Sequence, residues 1–188
     1  MSQYALKVDL ERCYGCRSCE AACKMANGPG YFGSRIQNVW LTPTQIGERL
    51  EFITTMCQQC ERPACLRSCD SFPKALSKRE SDGMVLVDTA ICTGCQKCVL
   101  ACPYNAMGFD PRVRKAIKCT LCLERRERGL EPACVSTCPA RALTFGAKEE
   151  LLVQASQEER AVRNIDHFAQ NPSTVYLEPI KRNGDGKL

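Results

Sequence analysis

Sixteen cysteines occur among the 188 residues of the chain, and they fall into four groups of four. The first and third groups share the spacing C-x2-C-x2-C-x3-C, whereas the second and fourth have longer gaps between their second and third cysteines. Thiolates repeated at such short spacing are typical ligands of metal centres. The groups are Cys13, Cys16, Cys19 and Cys23; Cys57, Cys60, Cys65 and Cys69; Cys92, Cys95, Cys98 and Cys102; and Cys119, Cys122, Cys134 and Cys138.

Three cysteines at C-x2-C-x2-C lie on one tight loop, where their sulfurs can converge on one face of an iron–sulfur cubane. We expect the fourth cysteine to begin a helix and to point away, toward another cluster, as in two-cluster ferredoxins. Pro103 and Pro139 follow the last cysteine of groups three and four and favour a turn there. The pattern therefore predicts four [4Fe–4S] clusters with all sixteen cysteines as ligands.

Zinc and disulfide bonds are the two alternatives for so many thiols. Zinc suits the C-x2-C pairs of groups two and four, but it does not require a third and a fourth cysteine at the spacing of groups one and three. Disulfides are rare in the cytosol, and the N-terminal segment has no signal-peptide pattern. Co-export with a signal-bearing partner remains open, but neither alternative explains the spacing as well as clusters do.

The sequence repeats itself with a period near 79 residues, since VDLERCYGC at 8–16 aligns with VDTAICTGC at 87–95. Groups two and four also match, because both contain C-x2-C followed by Pro-Ala-Cys. The repeat predicts an α+β fold built of tandem bacterial-ferredoxin-like modules, a duplicated two-cluster ferredoxin. Gly15 and Gly94 lie between ligands in the two copies, and we expect them to allow close approach of the backbone to the inorganic core.

The cysteine groups suggest how the chain is divided. We expect one module at 1–50 plus 103–146, a second at 51–102, and a C-terminal helix with an extended, partner-docking arm at 147–188. Short strands are predicted at 4–8, 50–56, 83–87 and 140–146, and a turn is predicted at 27–30. The helix follows from apolar residues at helical spacing, which are Leu151, Leu152, Ala155, Val162, Ile165 and Phe168.

The charge pattern argues against nucleic-acid binding. The formal net charge is +5, but four cubanes carrying roughly −2 each would make the loaded protein slightly acidic. Lys24, Lys97 and Lys118 lie beside ligands, where they can raise cluster potentials or simply be solvated. The single histidine, His167, and the single tryptophan, Trp40, are expected to have surface or packing roles. No apolar run is long enough to span a membrane.

With these motifs in view, the chain resembles the four-cluster iron–sulfur subunits of dimethyl-sulfoxide-reductase-type molybdopterin oxidoreductases. These include subunits of the dimethyl sulfoxide, polysulfide, arsenate and tetrathionate reductases and of formate dehydrogenases. The resemblance covers roughly residues 5–180, and KCTLCLERRERGLEPACVSTCPARALTFG at 118–146 is its most telling stretch. The related nitrate reductase subunits replace one ligand of the third group by tryptophan. Here that group keeps four cysteines, so the resemblance implies four [4Fe–4S] clusters.

The resemblance also implies a nested pairing of the cysteine groups, one with four and two with three. Spacing alone does not decide this, because the duplication equally suits sequential pairing of one with two and three with four. The implied ligand sets are Cys13, Cys16, Cys19 and Cys138; Cys119, Cys122, Cys134 and Cys23; Cys57, Cys60, Cys65 and Cys102; and Cys92, Cys95, Cys98 and Cys69.

By this resemblance the chain is a non-catalytic electron-transfer subunit. It would pass electrons between a membrane quinol or quinone subunit, or another redox carrier, and a large molybdopterin catalytic subunit containing molybdenum or tungsten. The expected location is a peripheral membrane complex, on the periplasmic side through co-export with a twin-arginine-signal partner, or alternatively in the cytoplasm. A stand-alone polyferredoxin or hydrogenase-linked carrier and a structural zinc module are the alternative functions.

Overall fold

Short strands and helices alternate with the cysteine loops in the computed structural model, which describes residues 2–28, 35–41 and 50–180. Within these residues most elements have only three to six residues, so long connecting loops carry the cysteine groups. The strands are β1 (Tyr4–Asp9), β2 (Ile36–Leu41), β3 (Glu51–Met56), β4 (Leu76–Lys78), β5 (Val85–Val87), β6 (Gly108–Asp110), β7 (Lys115–Ile117), β8 (Leu143–Ala147) and β9 (Val175–Leu177). The helices are α1 (Ser18–Asn27), α2 (Ala64–Arg67), α3 (Lys97–Leu100), α4 (Leu123–Arg126), α5 (Ala133–Ser136) and α6 (Lys148–Gln157).

The first module is built around a three-stranded sheet with β1 at its centre. Strand β8 pairs with β1 antiparallel and β9 pairs with it parallel. The buried side chains of β1 and β8 pack with helix residues that include cysteines, so Leu6, Val8 and Leu143 share one core with Cys19 and Cys134. Cysteine thiols thus form part of this core, so any metal centre that they bind would also stabilise the fold.

The second module consists of the two hairpins β4–β5 and β6–β7 with the helices α2 and α3. Its core is small and again contains thiols. Leu76, Val85 and Met107 pack with Cys65 and Cys98. A core this thin supplies little burial energy, so a metal centre bound by its thiols would add stability to this module as well.

The predicted strands at 4–8, 50–56, 83–87 and 140–146 are confirmed. The expected module boundaries need correction, because Met107 and Ala116 pack in the second core rather than in the first. Conversely, Met56 at the end of β3 packs in the first core. The hairpin β6–β7 therefore packs with the second core, and the hairpin β2–β3 packs with the first. Residues 29–30 of the predicted turn lie outside the described residues.

The C-terminal segment is also corrected. The predicted helix ends at Gln157, so Val162, Ile165 and Phe168 lie beyond it, and apolar spacing alone did not reveal this end. The arm expected to dock on a partner instead forms β9 beside β1, and α6 packs on β1, β8 and β9. The described part of the arm is thus an integral part of the first module.

No helix within the described ranges has the length and apolar character needed to cross a membrane.

Candidate metal centres

The cysteine loops of groups one and three have the same local backbone. Gly15 and Gly94 have φ values of 75° and 74°, and Arg17 and Gln96 have 60° and 61°. In each loop the helix then begins before the third cysteine, at Ser18 and at Lys97 respectively. The expectation that the fourth cysteine begins a helix is therefore wrong. Cys23 lies inside α1, whereas Cys102 follows the end of α3.

Two small cavities in the first module are each lined by four cysteines. One is lined by three thiols of group one and one of group four. The other is lined by three thiols of group four and one of group one. Helices α1 and α5 pack on each other and bring the two groups together. The thiols are Cys13, Cys16, Cys19 and Cys138 in the first cavity, and Cys23, Cys119, Cys122 and Cys134 in the second.

The second module brings the thiols of groups two and three together in a similar way. Burial raises the pKa of Cys65 to about 12 and that of Cys98 to about 11. Neighbouring thiols add to both increases, because nearby thiolates repel one another. These neighbours are Cys57 and Cys102 around Cys65, and Cys92, Cys95 and Cys69 around Cys98.

These thiol sets have the chemistry required of iron–sulfur cluster ligands. All sixteen cysteines are free rather than joined in disulfides. Burial also raises the pKa of Cys134 well above its usual value, and the surrounding thiols reinforce this. A positive metal centre would favour the ionised form of such a thiol by compensating the crowded negative charge. Among the described residues, no three Cys, His, Asp or Glu side chains are placed to hold a single metal ion.

Backbone amides donate to several of the sulfurs. The amides of Ala106 and Ala142 both donate to the cysteine four residues earlier, Cys102 and Cys138, at 3.3 Å. In each case the residue before the alanine has a left-handed backbone, with φ near 50°. Sequence reasoning predicted a turn after Pro103 and Pro139 but missed these amide donors. Hydrogen bonds to sulfur raise cluster reduction potentials.

Polar side chains also contact the sulfurs, and sequence reasoning did not identify them. Asn38 Nδ2 lies 3.4 Å from Cys13 Sγ and 3.2 Å from Thr54 Oγ1. Both residues are buried on the hairpin β2–β3, directly opposite each other in its register. A buried asparagine opposite a buried threonine indicates a contact to a cysteine sulfur only when the pairing of the strands is known. Ser71 Oγ similarly lies 3.2 Å from Cys69 Sγ.

The structure leaves no room for a side chain at Gly94. This constraint is separate from the predicted approach of the backbone to the inorganic core. A Cβ at this position would lie 2.3 Å from the carbonyl oxygen of Arg114, whereas a Cβ at Gly129, with the same φ of 74°, would meet nothing. We expect Gly129→Ala to cost only the left-handed strain of about 1–2 kcal/mol. Gly94→Ala should be clearly worse and should also lose bound iron. Thermal unfolding and iron content check this, and equal losses in the two variants would contradict it.

The three lysines predicted to tune the clusters have different environments. Lys24 is exposed on α1, and Lys97 is exposed and ion-paired with Asp70 at 2.6 Å. Lys118 alone is buried. His167 is exposed. Trp40 is exposed on β2, with the guanidinium of Arg17 5.3 Å from its ring centroid, so it lies beside the first cysteine loop.

Comparison with known proteins agrees with this chemistry. Residues 48–148 match the family model described as the 4Fe-4S dicluster domain. The chain is 38% identical to the thiosulfate reductase electron transfer subunit of Salmonella typhi over 157 residues, which cover 81% of this chain and 80% of that protein. It is also 38% identical to one subunit of the anaerobic dimethyl sulfoxide reductase of Escherichia coli K12 over 159 residues, covering 80% and 76%.

The corresponding subunit of the Haemophilus influenzae reductase is 34% identical over 161 residues, covering 80% of this chain and 77% of that one. The chain therefore belongs to the family of four-cluster iron–sulfur subunits of dimethyl-sulfoxide-reductase-type molybdopterin oxidoreductases. Its cofactors are four [4Fe–4S] clusters.

Proposed function

We propose that this chain relays electrons between a quinol or quinone subunit, or another redox carrier, and a molybdopterin catalytic subunit. The proposal is supported most directly by sixteen free cysteines, eight of which line two cavities, four in each. When bound, each [4Fe–4S] cluster accepts and releases a single electron. The protein's own part is to hold the clusters and to set their potentials through burial and hydrogen bonds.

We also propose the nested assignment of ligands, in which group one shares its clusters with group four and group two shares with group three. The two four-cysteine cavities support the first half of this assignment. The electrostatic neighbours of Cys65 and Cys98 support the second half. The similar backbone of the loops around Gly15 and Gly94 supports descent of the two modules from a duplicated ferredoxin.

The surface offers a contact site in each module. In the first, Cys16 is exposed, and the exposed side chains of Tyr14 and Trp40 belong to the same loop and its neighbouring hairpin. In the second, Cys95 is exposed, and Phe72 and Leu100 project fully or almost fully into solvent. Because exposed apolar side chains mark interaction surfaces, we assign these two patches to the two redox partners.

The function is tested by isolating the tagged full chain anaerobically from its native host. We expect about sixteen irons per chain, four per site, and broad absorption near 400 nm. The large molybdopterin subunit should copurify, and mass spectrometry identifies it. Isolation of an iron-loaded chain by itself would favour the stand-alone polyferredoxin, whereas a colourless protein containing zinc would favour the structural module. We assign the complex to the periplasmic membrane face, and protease accessibility of spheroplasts checks this.

A further inference from the structure

Lys118 is a buried cation at the seam between the two modules, immediately before the first cysteine of group four. Its side chain is 3% exposed. The ammonium Nζ donates to the carbonyl oxygen of Cys119 at 2.8 Å, to Gln59 Oε1 at 3.4 Å and to the carbonyl oxygen of Val85. A charged lysine has three donors and no acceptor. Three oxygen acceptors therefore match the three donors of an ammonium group.

Gln59 holds this lysine against group two. The side chain of Gln59 is 1% exposed and lies between Cys57 and Cys60 in the chain. Its Nε2 donates to the carbonyl oxygen of Cys119 at 2.9 Å, and its Oε1 accepts from the amide of Val85 at 2.9 Å. The pair Lys118–Gln59 thus joins the loops of groups two and four, with the charge between them.

The fold itself does not require a charge at such a position. In the aligned C-x2-C pairs of groups two and four, Met56 corresponds to Lys118 and Leu121 corresponds to Gln59. Gln59 and Leu121 have nearly the same left-handed φ, 47° and 49°. Met56 and Leu121 are both buried in the first core. The corresponding pair Met56–Leu121 is therefore apolar, whereas the pair Lys118–Gln59 is polar and charged.

A buried cation is costly unless it meets an opposite charge. Lys118 makes no salt bridge with a carboxylate of the described residues, since its three acceptors are neutral oxygens. The negative charge that compensates it must then come from what the adjacent thiols bind. Thiolate-ligated clusters are net negative and become more so on reduction.

We propose that Lys118, oriented by Gln59, raises the reduction potentials of the two clusters held by the first three cysteines of groups two and four. The inference rests on the proposed electron-transfer function. The charge of Lys118 is proposed to raise the reduction potentials of these two clusters rather than of all four. When either cluster gains an electron, the ammonium group of Lys118, held by its three oxygen acceptors, stabilises the added negative charge in a low-dielectric seam.

The exposed lysines provide the contrast. Lys97 also lies directly before a ligand, Cys98, but its charge is neutralised by Asp70 and screened by water and salt. Lys24 follows Cys23 on the exposed side of α1. Neither is expected to shift a potential measurably at physiological ionic strength.

The test compares Lys118→Gln, Lys118→Arg and Lys97→Gln in the anaerobically purified full chain. Redox titration followed by electron paramagnetic resonance gives the potential of each cluster. In Lys118→Gln we expect two potentials to shift downward and two to stay unchanged, and the shift should persist in 0.5 M salt. Lys118→Arg, which keeps the charge, and Lys97→Gln, the matched exposed control, should resemble the wild type. Unchanged potentials in Lys118→Gln, or an equal shift in Lys118→Arg, would overturn the proposal.

A folding defect is distinguished by a second design. Lys118→Met combined with Gln59→Leu installs at this position the apolar pair that the chain already carries at Met56 and Leu121. It should keep the full iron content and show the same two lowered potentials. Iron loss in both neutral designs, with retention in Lys118→Arg, would assign Lys118 to folding and reject the tuning role. A wild-type chain with four reducible clusters but no catalytic partner would reject the proposed relay, and this outcome is distinct from unchanged potentials in Lys118→Gln.

Discussion

Alanine at both Cys23 and Cys134 is expected to leave three of the four clusters intact, whereas alanine at both Cys102 and Cys134 should leave two. In the nested assignment Cys23 and Cys134 ligate the same cluster, so the second substitution damages nothing new. The two thiols line one cavity of the structure. Cys102 instead lies beside Cys65, so its loss should affect a separate cluster.

Sequential pairing of the groups makes the opposite prediction for these two variants. There Cys134 and Cys102 would share a cluster, and Cys23 would belong with group two. Mössbauer spectroscopy of iron-57-enriched protein counts the intact [4Fe–4S] clusters in each double variant and in the three single variants. Two intact clusters in the Cys23/Cys134 variant and three in the Cys102/Cys134 variant would reverse the ligand assignment.

Leu151→Ala is expected to destabilise the protein by about 2–5 kcal/mol, the cost typical of a buried leucine-to-alanine change. Leu151 is 1% exposed on α6. It packs with Ala5 of β1 and with Val175 and Leu177 of β9. Its removal leaves a cavity between the C-terminal segment and the central sheet. For a chain of this size the loss corresponds to a melting temperature lower by roughly 4–20 °C.

Leu152→Ala is the matched control for this change. Leu152 is the next residue of the same helix and is 39% exposed, so its truncation should cost less than about 1 kcal/mol. Calorimetry of the holo-protein measures both variants. Equal, small effects would mean that the C-terminal segment contributes little to the first module and would revive the idea of an arm reserved for a partner.

Several of the cysteines proposed as cluster ligands are also part of the two hydrophobic cores. Cys19, Cys23 and Cys134 belong to the first core, and Cys65 and Cys98 belong to the second. Cluster damage therefore removes packing as well as an electron carrier, because the same side chains serve both purposes. A subunit built in this way is best assembled with its clusters before it meets its partners.

The sequence alone determined the cluster type and the family, and it predicted the ligands. Each of these depends on local spacing, since the three cysteines of a C-x2-C-x2-C loop are constrained by a few backbone angles. The strands next to the loops were also predictable, because short apolar runs such as VLV at 85–87 precede a cysteine group. For the same reason the repeat was visible without any structure.

Only the tertiary structure decided which distant segments meet. Cys138 joins Cys13 across most of the chain, and Asn38 reaches the Cys13 sulfur only because β2 pairs with β3 in a particular register. Three lysines lie beside ligands in the sequence, yet burial at the seam singles out Lys118. These features depend on packing between residues far apart in the chain, and the choice among such contacts is made by the whole folded core rather than by any local pattern.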